Sequence, residues 1–131
     1  MAALGTTLGS YYPNANMLES AKTANYTVLT TDNGTLFTNT GASGAVVFTL
    51  PTLAAGLVYE FLVTADQSVT VASAAGDDMV VFNDATADSV AFSTSSEKIG
   101  GWVKVQSNAA GTKWYVSQKS AGSAHTLTVA T

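Results

Sequence analysis

The chain has 131 residues, 47% of them hydrophobic and only 11% charged, with a net charge of −4 and no cysteine. A disordered chain shows the opposite balance, so this one folds, as an all-β domain in the reading below, and covers much of its surface with Thr, Ser, Ala and Gly. Five lysines and no arginine argue against nucleic acid, whose backbone is held by clustered Lys and Arg, and against an anionic membrane surface; without cysteine there is no disulfide and no thiolate chemistry.

The first two dozen residues differ from the rest. Met1–Tyr12 has no sustained period, Pro13–Asn16 is a turn-like cluster, and Met17–Lys22 has the makings of one helical turn too short to stand alone. Residues 1–24 therefore read as an N-terminal arm, and 25–131 as a single β domain. Met1–Ser10 has neither the basic flank nor the apolar run of a signal peptide. No stretch approaches the ~20 apolar residues of a membrane span.

From Tyr26 on, short strands alternate with turn residues. Tyr26–Thr30 is β-branched and aromatic, and Asp32-Asn33-Gly34 after it is a hairpin signal, because Asn and Gly tolerate positive φ. Thr35–Asn39 and Ala45–Leu50 follow, the second ended by Pro51. Leu57–Thr64 is apolar on both faces and reads as a central strand, with Glu60 the odd residue, expected to be partly exposed or hydrogen-bonded. Ser68–Ala72 alternates cleanly, and Met79–Phe82 and Val90–Ser93 are strands flanking a loop at Asn83–Ser89. Trp102–Gln106 and Lys113–Ser117 form a hairpin about the turn Asn108–Thr112, and Thr126–Val129 closes the chain. Strand candidates at about 8–12-residue spacing, with no amphipathic helix of ordinary length, predict an antiparallel β-sandwich or jelly-roll-like domain.

The residues that could carry chemistry do not assemble into a pattern. No two acids are paired by spacing as a glycosidase requires. Asp77, Asp78, Asp84 and Asp88 crowd near loops, but their spacing fits no calcium loop. His125 is the sole histidine, which with no cysteine leaves no zinc site in a monomer. No Ser lies in a Gly-x-Ser-x-Gly elbow. The sequence thus predicts a non-enzyme without cofactor or metal. Trp102, Trp114 and Tyr115 lie on the two arms of one expected hairpin, where they could cross-pair on one face and stack on sugars; core packing is the plainer reading. Leu8, Tyr11 and Tyr12 in the arm are candidate anchors for a neighbouring subunit.

The stretch Thr30–Leu62 resembles a domain that recurs in virion proteins of tailed bacteriophages. The pieces that carry the resemblance are Phe37-Thr38-Asn39-Thr40-Gly41-Ala42, Val47-Phe48-Thr49-Leu50-Pro51 and Ala55-Gly56-Leu57-Val58-Tyr59-Glu60-Phe61. Ala75-Gly76-Asp77, Gly100-Gly101-Trp102 and Lys113-Trp114-Tyr115-Val116 follow in the same order. Such domains occur in tail fibres and in small head proteins, and a 131-residue chain points to a capsid decoration (cement) protein. The resemblance then implies a homotrimer on the outer capsid surface, assembled in the bacterial cytoplasm. It would bridge subunits of the major capsid protein and stabilise the shell. The alternative it implies is a tail-fibre or receptor-binding module that recognises carbohydrate.

Overall fold

The computed structural model describes residues 17–131. Twelve strands run in the order β1 (Glu19–Ala21), β2 (Tyr26–Thr27), β3 (Leu36–Thr38), β4 (Val46–Thr49), β5 (Val58–Leu62), β6 (Val69–Ala72), β7 (Met79–Val81), β8 (Asp84–Ala87), β9 (Ser89–Phe92), β10 (Trp102–Ser107), β11 (Trp114–Gln118) and β12 (Thr128–Ala130). Seven form one sheet, β1-β3-β5-β10-β11-β7-β8, and five the other, β12-β9-β6-β4-β2. The all-β sandwich expected from the spacing is what forms, but its sheets are mixed. Half of the ten strand pairings are parallel.

Four of the five parallel pairings have one origin. From β1 to β6 the chain alternates between the sheets, so β1, β3 and β5 stack side by side in one while β2, β4 and β6 stack in the other. Residues 19–72 thus wind as a coil of three two-strand turns. Side-chain alternation reports that a segment is a strand and which face is buried, but not which sheet it joins. The Asn33-Gly34 turn therefore links strands of different sheets and is no hairpin. The Met17–Lys22 segment is likewise extended: Leu36 N–H donates to Leu18 O and Lys22 N–H to Thr38 O, and this parallel ladder outweighs a helical turn that could not persist alone.

Stacking in register aligns the apolar residues of successive turns. Phe37 lies beside Phe61 with rings stacked at 5.5 Å, and Phe48 of the opposite sheet packs on both at 5.4 and 5.1 Å. Tyr26, Tyr59 and Trp114 extend this aromatic core. At the corners, asparagine amides tie one turn to the next. Asn25 Oδ1 accepts from Val47 N–H. Asn33 accepts from Val58 N–H and donates to Gly56 O. Asn39, fully buried, accepts from Thr64 and Ala65 N–H at 2.8 and 3.0 Å and donates to Ala65 O at 3.2 Å. A primary amide offers donor and acceptor together, which a corner with free N–H and C=O groups requires.

The second half is built of antiparallel ladders, apart from the parallel pairing of β7 with β11. β5 is central, between β3 and β10, as its two apolar faces predicted, and β10–β11 is the expected hairpin. The segment Asn83–Ser89, expected as a loop, holds strand β8 and the start of β9. The link from β7 to β8 is a two-residue turn with Phe82 at φ 46° and Asn83 at φ 68°. Gly101 is required where it stands: an added Cβ would lie 2.7 Å from the buried Phe92 ring.

Candidate functional site

The two outward faces of the sandwich differ in chemistry. On the five-stranded sheet, one row crosses the face as Val47, Thr70, Ala91 and Thr128, and the next as Thr27, Thr49, Ala72, Ser89 and Ala130. Alternation turns Val46, Phe48, Val69, Val71, Val90 and Phe92 inward. Every residue left outside on these strands is small and uncharged. The surface has neither the long mobile side chains that keep a sheet apart from a neighbour nor a charge that a neighbour would have to desolvate.

The outer face of the seven-stranded sheet carries the charge. Glu60, predicted to be hydrogen-bonded or partly exposed, is nearly buried, and its Oε1 accepts from Trp102 Nε1 at 2.8 Å and Lys119 Nζ at 3.0 Å. The Lys119 ammonium also sits 4.6 Å from the Trp102 ring centroid. One carboxylate, one ammonium and one indole thus satisfy one another, an arrangement that holds β5, β10 and the end of β11 in place. Beside it lies an open groove of about 330 Å³ lined by Gly56, Leu57, Val58, Lys104, Gln106 and Ser107. Lys104 has no ion-pair partner among the described residues.

The three aromatics expected to share a face do not. Gln106 pairs with Tyr115 and Ser107 with Trp114, whereas Trp102 lies opposite Lys119 at the far end of the hairpin. Trp114 points inward and is fully buried, its indole N–H without a partner. It is a core residue, as the plainer reading held, and presents nothing to a ligand. Tyr115 is half exposed and Trp102 partly covered by Lys119. Spacing could not separate these cases, because a one-residue step along a strand reverses the face. Leu8, Tyr11 and Tyr12 lie outside the described residues.

The acids other than Asp88 are engaged one by one in structural bonds. Asp77 Oδ2 accepts from Leu53 N–H, Asp78 pairs with Lys113 at 2.6 Å, and Glu97 accepts from the amide and hydroxyl of Thr126. Asp84 accepts from the Thr131 hydroxyl and from Thr86, and these bonds, the Thr131 one first, hold its carboxyl below the usual range. Among the described residues no three His, Cys, Asp or Glu side chains converge as a metal site would need. His125 Nε2 meets Ile99 O at 2.8 Å, and the ring packs edge-on to Phe92. Burial pushes the Tyr59 hydroxyl up to about 12, helped by the nearby Asp32 carboxylate; Tyr26 is raised chiefly by its hydrogen bond to Asp32.

No protein-family model matches the chain, and no curated protein matches it in sequence. The surfaces therefore have to be read on their chemistry. Among large apolar side chains, Leu18, Leu29, Phe82, Ile99 and Tyr115 stand out into solvent. Four of them lie at edges or in turns, and Tyr115 stands on the interior strand β11. Sequence patterning missed Phe82, because the run Met79–Phe82 reads as one strand.

Proposed function

We propose that this protein is a non-enzymatic structural component of a phage virion, a decoration protein that docks on the outer capsid surface and bridges subunits of the major capsid protein. The observation that carries the reading is the uncharged, small-residue outer face of the five-stranded sheet. A neutral surface of small residues loses little on desolvation and lets another backbone approach closely. The charges borne on strands, Glu19, Glu60, Asp84 and Lys104, lie on the opposite sheet, where they would face away from the shell on a mounted subunit. The resemblance of residues 30–118 to phage virion domains supports the same reading, with a homotrimer as the mounted form. Stabilisation would then be mechanical, each copy holding two neighbours together.

The test is binding of the purified protein to heads of the parent phage prepared without it. Thr70→Lys places a charge at the centre of the neutral face while leaving the core untouched. Loss of binding by a variant with unchanged melting temperature is the expected result; undiminished binding overturns the assignment of this face. One observation favours a second reading, a carbohydrate-binding tail module: the exposed Tyr115 ring beside the groove at Gln106. Glycan-array binding abolished by Tyr115→Ala would move the assignment there.

A further inference from the structure

The turn between β7 and β8 is built against its sequence. A two-residue hairpin with both central residues at positive φ selects Asn, Asp or Gly. Its first central residue here is Phe82, at φ 46°, with 61% of its surface exposed. A bulky residue in this region is a backbone outlier, and strain that the surroundings enforce clusters at working sites. Phe82 leaves most of its surface outside its own core, so its ring is free to gain from another surface.

That surface is present on the same chain. The groove on the outer face of the seven-stranded sheet is lined by Gly56, Val58, Lys104 and Gln106 among others, the last two with long aliphatic stems. Such stems offer apolar walls to a ring while their polar ends stay in water. Phe82 cannot reach its own groove, because β11 and β10 stand between β7 and β5 in the sheet. Charge matches as well. Asp84, two residues from Phe82, is held anionic by its hydroxyl and amide donors, and Lys104 in the groove has no ion-pair partner among the described residues.

We infer that copies of this chain associate head to tail, the Phe82 ring of one seated in the Val58–Lys104 groove of the next, with Asp84 facing Lys104. A knob and a hole at different places make a heterologous contact, which closes into a ring or runs on as a chain. The contact would serve the mounted form proposed above, but it does not depend on a capsid, so it is tested with the purified protein alone.

The experiment is sedimentation equilibrium on the wild type, Phe82→Gly, Val58→Trp, and an equimolar mixture of the two variants. Phe82→Gly relieves the strained turn, so it folds and melts higher than wild type; Val58→Trp fills the groove from the outer face of β5. The wild type is expected to associate, and each variant alone to associate more weakly by about tenfold or more, as loss of a buried aromatic anchor does. The mixture is expected to form a dimer that grows no further, because the groove of one variant and the knob of the other remain intact. Lys104→Glu should weaken association, and the exchange Asp84→Lys with Lys104→Glu should restore it. A wild type that stays monomeric up to about 100 µM, weaker than specific contacts of this type, overturns the inference. So does a Phe82→Gly variant that associates like the wild type, or a mixture that behaves as its separate parts. Failure of capsid binding with association intact would count against the capsid reading alone.

Discussion

Replacing Asn39 by leucine tests whether the corner amides hold the coil together. The side chain is fully buried and makes three bonds to the backbone of the turn after β5: two from N–H groups and one to a carbonyl. Leucine fills nearly the same space and makes none of them. A group orphaned in the interior costs about 1–3 kcal/mol. Thr64 is exposed and Ala65 half-buried, so water recovers part of the loss and the low end of that range applies to each. Three such groups give a destabilisation of about 3 kcal/mol, or roughly 10 °C in melting temperature for a chain of this size. The assay is urea unfolding followed by tryptophan fluorescence, read as a shift in midpoint at constant slope. Thr40→Val is the control in the same turn. Its hydroxyl also bonds to Thr64 and Glu19, but at the surface, and its loss should stay within about 0.5 kcal/mol. An Asn39→Leu variant within about 1 kcal/mol of wild type, or one no worse than Thr40→Val, would refute the claim that the amide, and not merely its volume, ties successive turns.

Two further outcomes follow from single contacts. The hydroxyl of Tyr59 is pushed up to about 12, above the ordinary tyrosine value of about 10, so an unfolded chain loses this proton before the native one does. The native state then binds more protons above the unfolded value, and stability should fall as pH rises through that window; the tyrosinate absorbance of one tyrosine should appear only after the others. Gly101→Ala drives a Cβ to 2.7 Å from the Phe92 ring and should cost about 1–3 kcal/mol by overpacking. Made on a Phe92→Ala background, the same change should cost almost nothing, and additivity of the two in a double-mutant cycle would rule out the clash.

How much of this was legible beforehand depends on what each residue reports. The strands at Ala45–Leu50, Leu57–Thr64 and Ser68–Ala72, the hairpin from Trp102 to Ser117 and the bonded state of Glu60 follow from alternation, turn residues and the cost of burying a lone charge. Their partners did not follow, since Tyr26–Thr27 and Leu36–Thr38 read alike but join different sheets. The corner roles of Asn25, Asn33 and Asn39 were hidden because Asn is also an ordinary turn residue; their bonds reach across 22–26 positions. Trp102 and Trp114 were indistinguishable by spacing until the register put one outside and one in the core. The neutral face was legible only as a low overall charge and became a surface once the rows were aligned.

The coil also decides which end of the sandwich is vulnerable. At one end, the edge strands β8 and β12 close on each other: Asp88 N–H donates to Ala130 O, and the Thr131 hydroxyl bonds to Asp84. At the other end, among the described residues, β1 and β2 are both edges. Exposed edges invite strand addition unless charge or irregularity blocks it. Two charged side chains stand there, Glu19 on β1 and Lys22 just after it, the latter over the Tyr26 ring at 3.9 Å. Replacing both by threonine keeps β propensity and removes the charge. The variant should keep its melting temperature to within about 2–4 °C, since surface changes cost about 0.5 kcal/mol or less. It should nevertheless aggregate faster on incubation, read by light scattering and thioflavin fluorescence. The matching change at the other end, Asp88→Thr, keeps the Asp88 backbone bond to Ala130 and should leave aggregation unchanged. Equal acceleration from both ends would show that loss of charge, and not the open edge left by the coil, sets the solubility of this chain.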